Sequence, residues 1–330
     1  MKKLLMSLMV LLLALTLAGC GGDEPAPAEN ASAEQVKLGI IQIVEHKALD
    51  AARQGFLDVL AENGYKDGDK LMVDYQNAQS DQSNLQTIAN KFVQKDYDLV
   101  LAVATPSAMT MANATKDIPI LITAVTDPVS AKLVNSIEKP GTNVTGTTDL
   151  NPVKDQLQLI KDIVPTVKKV GIIYNSSEVN SQVQVDIADQ VAPEMGIELV
   201  KVTVTASSEV MQAAQSMVGR VDAFYLPTDN MVISSLPAVM KVAEENKLAV
   251  ICGESDAVKS GALATIGIDY YQLGRTTGEM ALEILNGANP AEMAIQGQTG
   301  SDIVINLKTA ETTGITVPEE IQAKAKELIK

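Results

Sequence analysis

The apolar residues of this chain form two consecutive series of the same pattern. In each series, short β-branched runs alternate with longer stretches of helical periodicity. In the first series, strands are predicted at 37–43, 71–75, 99–103 and 120–125. The helices of that series are predicted at 48–63, 85–94, 106–115 and 128–136. Strands that alternate with helices form parallel sheets through right-handed crossovers. The sequence therefore predicts an α/β fold whose first half is one doubly wound sheet.

A second series of the same kind begins with a predicted helix at 151–164. Its strands are predicted at 169–174, 198–204, 223–226, 248–252 and 263–268, and its helices at 179–196, 208–218, 236–246 and 271–285. Two doubly wound sheets in one chain indicate two lobes with a hinged cleft between them. Open parallel sheets bind ligands outside the carboxyl ends of their strands. The loops that follow the strands are therefore predicted to line the cleft.

The N-terminal residues are typical of an exported protein. Lys2 and Lys3 precede an apolar run over 4–17, which predicts a signal peptide at 1–19. The run ends in Leu-Ala-Gly-Cys and resembles the lipobox of bacterial lipoproteins, so we predict lipidation at Cys20. Two acyl chains suffice for stable anchoring on the extracytoplasmic face of a membrane. Residues 20–35 are rich in Gly, Pro, Ala and Glu and are predicted to form a flexible tether.

Composition argues against several classes of function. The formal net charge of −15 disfavours nucleic acid and anionic lipid surfaces as partners. One histidine, and Cys252 as the one cysteine besides Cys20, leave too few ligands for a His/Cys metal site. The sequence contains none of the common phosphate-binding, dinucleotide-binding or nucleophile motifs. We therefore expect no cofactor, no bound metal and no catalysis, and we expect a monomer.

Three predicted loops, two in the first series and one at the start of the second, combine a capping residue with a proline at the first helical position. These are Thr105-Pro106-Ser107, Thr126-Asp127-Pro128 and Asn151-Pro152, and Asp269 with Gln272 forms a similar capping pair. Each could serve only as a helix cap. Together they direct free backbone N–H groups toward one cleft, an arrangement suited to a carboxylate. The hydroxyl groups of these loops would add hydrogen-bond donors.

The loops of the second half carry the opposite charge. Asn175 and Glu178 follow one predicted strand, Asp229 and Asn230 follow the next, and Glu254 follows a third. Carboxylates at these positions would attract an ammonium group, and Asp229 is the strongest candidate because it directly follows a buried strand. A turn-forming role for Asp229 is the alternative. Positive helix ends facing carboxylates fit a zwitterion, so we predict an amino acid as the ligand.

The single histidine, His46, lies in the first strand-to-helix loop near Gln42. It is either a solvated loop residue or a contact for the side chain of the ligand. The absence of tryptophan weakens the argument for a sugar as the ligand, because sugars often stack on aromatic rings.

Motifs in order along the chain resemble the substrate-binding family of ABC transporters that includes lipoproteins for tryptophan and other aromatic amino acids. They are the lipobox and residues 42–50, 104–108, 123–128, 149–153, 174–180, 227–230 and 267–274. The resemblance implies a type I periplasmic-binding-protein fold whose chain crosses between the lobes three times. The first lobe would comprise 36–145 and 269–300, and the second 146–268 and 301–330.

By position, the resemblance implies that Ser107, Ala124 and Thr126 hold the ligand carboxylate. It also implies that Asp229, with Glu178 or Glu254, contacts the ligand ammonium. The full set of predicted ligand-binding residues is Gln42, His46, Thr105, Ser107, Ala124, Thr126, Asp127, Asn175, Glu178, Asp229, Asn230, Glu254 and Asp269.

The function implied is that of an extracytoplasmic solute-binding lipoprotein of an ABC importer. Its lobes would close on a free amino acid, aromatic or otherwise apolar, and deliver it to the permease and its ATPase. Two alternatives remain open at this point. The cargo could be a sugar or a nucleoside, or the protein could be a ligand-sensing co-receptor.

Overall fold

The computed structural model describes residues 35–298 and 302–330. The predicted signal peptide, the lipidation site Cys20 and nearly all of the predicted tether lie outside the described residues. No helix in the described ranges is both long and apolar enough to cross a membrane.

The first half of the chain forms a parallel sheet with helices packed on it. Its strands are β1 (Val36–Gln42), β2 (Leu71–Asn77), β3 (Leu99–Val103), β4 (Ile120–Val125) and β5 (Val144–Thr148). Its helices are α1 (Lys47–Glu62), α2 (Gln82–Gln94) and α3 (Thr105–Ala114). The strands lie in the order β5-β4-β3-β1-β2. We call this sheet with its helices the first lobe.

The second half forms a larger sheet. Its elements begin with α4 (Val153–Ile163), β6 (Lys169–Tyr174), α5 (Val179–Val191), β7 (Glu198–Thr203), α6 (Val210–Met217) and β8 (Ala223–Leu226). They continue with α7 (Asn230–Ser234), α8 (Leu236–Glu245), β9 (Ala249–Cys252), α9 (Ser255–Lys259) and β10 (Ala264–Gly267). The strands from β6 to β10 pair in parallel, as predicted for the second series of strands. We call this sheet with its helices the second lobe.

The C-terminal part of the chain returns to both lobes. The remaining elements are α10 (Tyr270–Leu285), β11 (Gln296–Gly297), β12 (Asp302–Asn306), α11 (Leu307–Thr313), α12 (Glu319–Gln322) and β13 (Glu327–Ile329). Helix α10 packs on α1, and β11 pairs with β5 at the edge of the first sheet. Strand β12 pairs antiparallel with β10, and β13 extends that edge of the second sheet. The chain therefore passes between the lobes after β5, after β10 and between β11 and β12.

Helices cover both faces of the central strands, which explains why these strands are continuous apolar runs in the sequence. Every residue of β3, β4, β8 and β9 is buried. The predicted fold of two parallel-sheet α/β lobes is thus confirmed.

Strand β5, within which the predicted lobe boundary near 145 falls, pairs with β4 as far as Thr148. One prediction in the first half is wrong. Residues 128–136 form turns and not a helix. The Asp127 carboxylate accepts hydrogen bonds from the N–H groups of Val129 and Ser130, and Lys132 has a φ of 58°, so the chain turns where the helix was expected.

Candidate ligand-binding site

A small cavity lies between the lobes, at the carboxyl ends of strands from both sheets. Its lining residues are His46, Leu49, Ala124, Asp149, Asn180, Thr228, Asp229, Asn230, Ile233, Glu254 and Tyr270. A larger hollow, lined by Lys116 and Asn143, lies at the opposite ends of the first-lobe strands. The position of the smaller cavity is the one expected for ligands of open parallel sheets.

Three carboxyl groups line the cavity, and Asp229 is the one most fully engaged by its own lobe. As the N-cap residue of α7, it accepts a hydrogen bond from the Val232 N–H at 2.9 Å through Oδ1. Its Oδ2 accepts bonds from the Asn175 N–H at 2.6 Å and the Ser181 hydroxyl at 2.7 Å. Burial raises the pKa of Asp229, and these donors oppose that effect. Asp229 thus joins two loops of the second lobe.

Asp149 lies in the first crossing between the lobes, directly after β5. Its Oδ1 accepts a hydrogen bond from the Thr126 hydroxyl at 2.9 Å, and its Oδ2 accepts one from the Tyr270 hydroxyl. Burial raises the pKa of Asp149, while both hydroxyl donors oppose the rise. This carboxyl group therefore links three segments that are far apart in the sequence.

Glu254 is the third cavity carboxyl, and it accepts no hydrogen bond from the described residues. Its nearest partner is His46 of the first lobe, with 4.0 Å between Oε1 and Nδ1. Burial, followed by the charges of Asp256 and Asp149, raises the pKa of Glu254 well above its usual value. An uncompensated buried carboxyl is costly, so Glu254 is the acceptor best able to gain from a cationic ligand.

His46 lies across the cleft from Glu254 as the N-cap residue of α1. Its side chain is 9% exposed, and within the described part of the chain neither ring nitrogen has a hydrogen-bond partner. Burial lowers the pKa of His46 to about 4, against an opposing effect of Asn230. His46 is therefore neutral near pH 7 and presents a donor and an acceptor to the cavity.

Glu178 lies one layer behind the cavity wall and positions two lining residues. Its Oε2 accepts hydrogen bonds from the Asn180 amide at 3.0 Å and from the Asn230 N–H at 3.2 Å. Burial, followed by the charge of Asp229, raises the pKa of Glu178 to about 7. The Oδ1 atom of Asn180 is buried and has no partner among the described residues, so it is a second free acceptor.

The opposite side of the site is formed by the ends of β3 and β4. Ala104 directly follows β3, and Ala124 is the penultimate residue of β4. Their φ values are 76° and 57°, which L residues rarely adopt. Strained backbone of this kind clusters at ligand sites. The hydroxyls of Thr105 and Ser107, on the first turn of α3, are buried and unpartnered within the described ranges. This end of the site can therefore donate hydrogen bonds to an anion.

The two lobes touch around the cavity. The hydroxyl oxygens of Thr126 and Thr228, which follow strands of different sheets, approach to 3.4 Å. Helix α3 of the first lobe also contacts α5 of the second, and α1 contacts α9.

Residues 37–329 match the family model described as ABC transporter substrate binding protein. The chain belongs to this family. It is also 48% identical, over 298 residues, to a tyrosine-binding protein of Clostridioides difficile; the match covers 89% of this chain and 86% of that protein. The family resemblance read from the sequence motifs is confirmed.

Two solved structures resemble this substrate-binding protein to different degrees. An ABC domain from Streptococcus pneumonia in complex with L-Trp is 38% identical, with a TM-score of 0.86 over 90% of this chain and 100% of that one. A ligand-free, open structure of a substrate-binding protein with adhesive properties from Clostridium difficile is 48% identical, with a TM-score of 0.67 over 89% and 99%. The more identical chain is thus less similar in overall arrangement.

The structure brings only part of the predicted ligand set of this substrate-binding protein to the cavity wall. His46, Ala124, Asp229, Asn230 and Glu254 line it. Among the other predicted residues, Thr126, Asn175 and Glu178 hydrogen-bond to lining residues. Thr105 and Ser107 lie on α3, next to the end of β4.

Three predicted ligand contacts lie away from the cavity wall. Gln42 is fully buried in its own lobe, where its side chain bonds to Val44, Asp50 and Arg53. Asp127 forms the turn described above. Asp269 caps α10 through the Gln272 N–H, as the sequence pattern predicts, and its own N–H donates to the Gln298 side chain. In each case hydrogen bonds within the protein account for the polar side chain.

Six lining residues were absent from the predicted ligand set. They are Leu49, Asp149, Asn180, Thr228, Ile233 and Tyr270. Thr228 directly follows a predicted strand, and Asn180 lies on the first turn of the helix after another strand, so both positions carried a usable signal. Leu49 and Ile233 are apolar residues of helical periodicity and are indistinguishable from core residues in the sequence.

Proposed function

We propose that this chain is the extracytoplasmic binding component of an ABC importer for a free amino acid with an aromatic or other apolar side chain. The observation that carries the proposal is the distribution of unpartnered polar atoms between the two lobes. Donors on the first turn of α3 belong to the first lobe, and the acceptors of Glu254 and Asn180 belong to the second. A zwitterion would satisfy both sides at once.

The apolar part of the wall suits the side chain of such a ligand. Leu49 and Ile233 come from different lobes and face one cavity with the ring of Tyr270. The names of the relatives, a tyrosine-binding protein and a complex with L-Trp, support an aromatic amino acid.

We place the ammonium group of the ligand against Glu254 and not against Asp229. Asp229 already accepts three hydrogen bonds from its own lobe, whereas the Glu254 carboxyl receives none from the described residues. Charge-assisted hydrogen bonds are about twice as strong as neutral ones, so the unengaged carboxyl gains most. Asp229 then serves to shape the loop that carries Asn230.

The lobe arrangement supports a binding cycle by closure. The contact of Thr126 with Thr228 and the greater similarity to the L-Trp complex are consistent with a closed state. Ligand contacts from both lobes favour closure. The closed monomer would then deliver its ligand to the permease.

Titration calorimetry on refolded, ligand-free protein tests the proposal. L-Tyrosine or L-tryptophan should bind, and glucose and uridine should not. Glu254→Gln should weaken binding of the amino acid about tenfold or more, because a charge-assisted bond is lost. The des-amino analogue 3-(4-hydroxyphenyl)propionate should bind wild type and variant equally.

Glu244→Gln is the matched control, since it makes the same substitution at an exposed position of α8, outside the cavity lining. It should leave the affinity within about twofold, because exposed charges away from the site are screened by salt. Binding of glucose or uridine but of no amino acid would contradict the proposed ligand class. Equal loss in both variants would contradict the role of Glu254.

We also propose that the protein is held at the membrane by lipid at Cys20. The family is extracytoplasmic, and the leader and lipobox at the N-terminus supply the anchoring signal. A tether of 15 residues after the cysteine would keep the lobes within reach of the permease and raise their effective concentration there.

A further inference from the structure

Asp149 and Tyr270 lie in two different crossings between the lobes. Asp149 follows β5 on the way into the second lobe, and Tyr270 begins α10 on the way back. The Tyr270 hydroxyl donates to the Asp149 carboxylate, and both residues are 2% exposed or less. This hydrogen bond therefore ties two hinge segments together at the edge of the cavity.

A chain of hydrogen bonds leads from this pair to the contact between the lobes. Thr126 uses its one hydroxyl hydrogen to donate to Asp149 at 2.9 Å. On the other side, the Gln184 amide donates to the Thr228 hydroxyl oxygen at 2.6 Å. The hydrogen of Thr228 is thus free to point toward the oxygen of Thr126, which lies 3.4 Å away. The donors fix one direction, from Gln184 through Thr228 and Thr126 to Asp149.

We propose that Asp149 and Tyr270 are positioning residues for lobe closure, which hold the Thr126 hydroxyl ready to accept from Thr228 when the lobes close on a ligand. Thr126 and Thr228 follow strands of different sheets, so their contact requires closed lobes. The inference rests on the proposed function, because it assigns the network to the closing step of ligand binding.

Burying the carboxyl group of Asp149 costs free energy of folding, which a merely structural role would not require. Asp149 is a buried carboxyl whose hydrogen bonds come from two hydroxyls, and no lysine or arginine of the described ranges pairs with it. Buried polar networks specify one arrangement when every member is satisfied. Here that arrangement includes both hinge segments and the contact between the lobes.

Tyr270→Phe and Tyr271→Phe form a matched pair that tests the inference. The Tyr271 hydroxyl donates to Asp58 at 2.8 Å, but that bond joins α10 to α1 within the first lobe. Tyr270→Phe should raise the Kd for L-tyrosine about tenfold, the low end for a hydrogen bond to a charged group. Most of the change should appear as faster dissociation in stopped-flow experiments, because the closed lobes must open before the ligand can leave. Tyr271→Phe should change neither.

Small-angle scattering gives the conformational readout. At equal subsaturating ligand, Tyr270→Phe should show less compaction than wild type, whereas Tyr271→Phe should match it. A lower melting temperature with unchanged Kd, dissociation rate and compaction would overturn the inference and leave a structural role.

Thr228→Val provides a second variant of similar shape without the hydroxyl. It should raise the Kd. The Kd of the double variant with Tyr270→Phe should rise by less than the product of the two single increases, because both substitutions break the same network. Strictly multiplicative effects would overturn the inference. Wild-type protein that neither binds nor compacts with any amino acid would reject the proposed function and this inference together. Wild-type binding that Tyr270→Phe leaves unchanged would reject only the inference.

Discussion

Buried carboxyl groups in this protein are distinguished by the donors that reach them. Asp229 and Asp149 are engaged by backbone N–H groups and hydroxyls, Glu178 by two asparagines, and Glu254 by none of the described residues. A carboxyl group with satisfied oxygens fixes the position of its donors, whereas an unsatisfied one is available to accept hydrogen bonds from a ligand. The number of hydrogen-bond donors around each carboxyl therefore separates those held by the protein from the one free to bind a ligand, which residue type and position do not.

Glu178 gives a pH prediction with a definite sign. Its pKa is raised from 4.5 to about 7, so the folded state binds more protons than the unfolded state between these pH values. This group's contribution to stability falls as pH rises through that window. Glu178→Gln should melt like wild type near pH 5 and be more stable by at least about 1 kcal/mol near pH 8.

Thermal melts of ligand-free protein across this range check the prediction. Glu245→Gln, on the exposed side of α8, is the control and should follow wild type at every pH. A Glu178→Gln variant whose difference from wild type is the same at pH 5 and pH 8 would show that burial does not perturb this group.

At the residue scale, the sequence predicted Glu178, Asp229 and Glu254 but not Asp149, and it did not distinguish the roles of these carboxyl groups. Thr-Asp-Asn after a strand is equally typical of a helix cap and of a ligand contact, and Asp229 is a cap that also lines the cavity. Asp149 and Tyr270 meet across two crossings, a proximity that no local pattern encodes. Five of the thirteen predicted residues line the cavity, because loops after parallel strands converge there.

Helices α1 and α10 approach so closely that only glycine fits at their contact. A Cβ added at Gly274 would lie 1.9 Å from the Ala52 carbonyl oxygen, and one at Gly55 would lie 2.2 Å from the Tyr271 carbonyl oxygen. Both obstacles are backbone atoms, which cannot move independently of their helices. This contact holds the returning helix on the first lobe.

Gly274→Ala should therefore lower the free energy of unfolding by about 1–3 kcal/mol, despite the better helix propensity of alanine. Urea denaturation followed by circular dichroism measures the change. Gly297→Ala is the control, because its added Cβ would meet only the Thr148 methyl group at 3.4 Å. An unchanged midpoint for Gly274→Ala would mean that the helices can separate without cost.

At the element scale, apolar periodicity located the strands and helices of both sheets well. Parallel strands covered on both faces are visible as continuous apolar runs, whereas β5 (Val-Thr-Gly-Thr-Thr) is rich in threonine and was missed. The error at 128–136 came from Asp127 and Pro128, since Asx turns and helix starts share the same residues. The short returning strands at the C-terminus carry too few residues for a periodic signal.

At the scale of the whole molecule, the proposed lipid anchor makes the position of the protein in the cell depend on Cys20. Cys20→Ala removes the thiol that would carry the lipid and leaves the predicted signal peptide unchanged. The variant should appear in the medium or the soluble extracytoplasmic fraction, and wild type should appear in the membrane fraction. Fractionation with immunoblotting measures this distribution. Equal membrane association of both proteins would contradict the lipid anchor.

The two-lobe architecture was predictable from the repeated rhythm, whereas the exchange of segments between lobes came from the family resemblance alone. Composition and periodicity do not show that α10 returns to α1, since pairing of distant elements depends on shape at contacts such as Gly274 with Ala52. The contact between Thr126 and Thr228 depends on how the lobes are placed, and no local pattern encodes it.

The contact between α1 and α10 also has a consequence for biogenesis. Helix α1 (residues 47–62) packs on α10 (residues 270–285). The first lobe is therefore incomplete until most of the chain has left the ribosome. Contacts between distant segments slow folding. For a chain exported N-terminus first, we therefore expect the first lobe to stay incompletely folded until α10 has crossed the membrane.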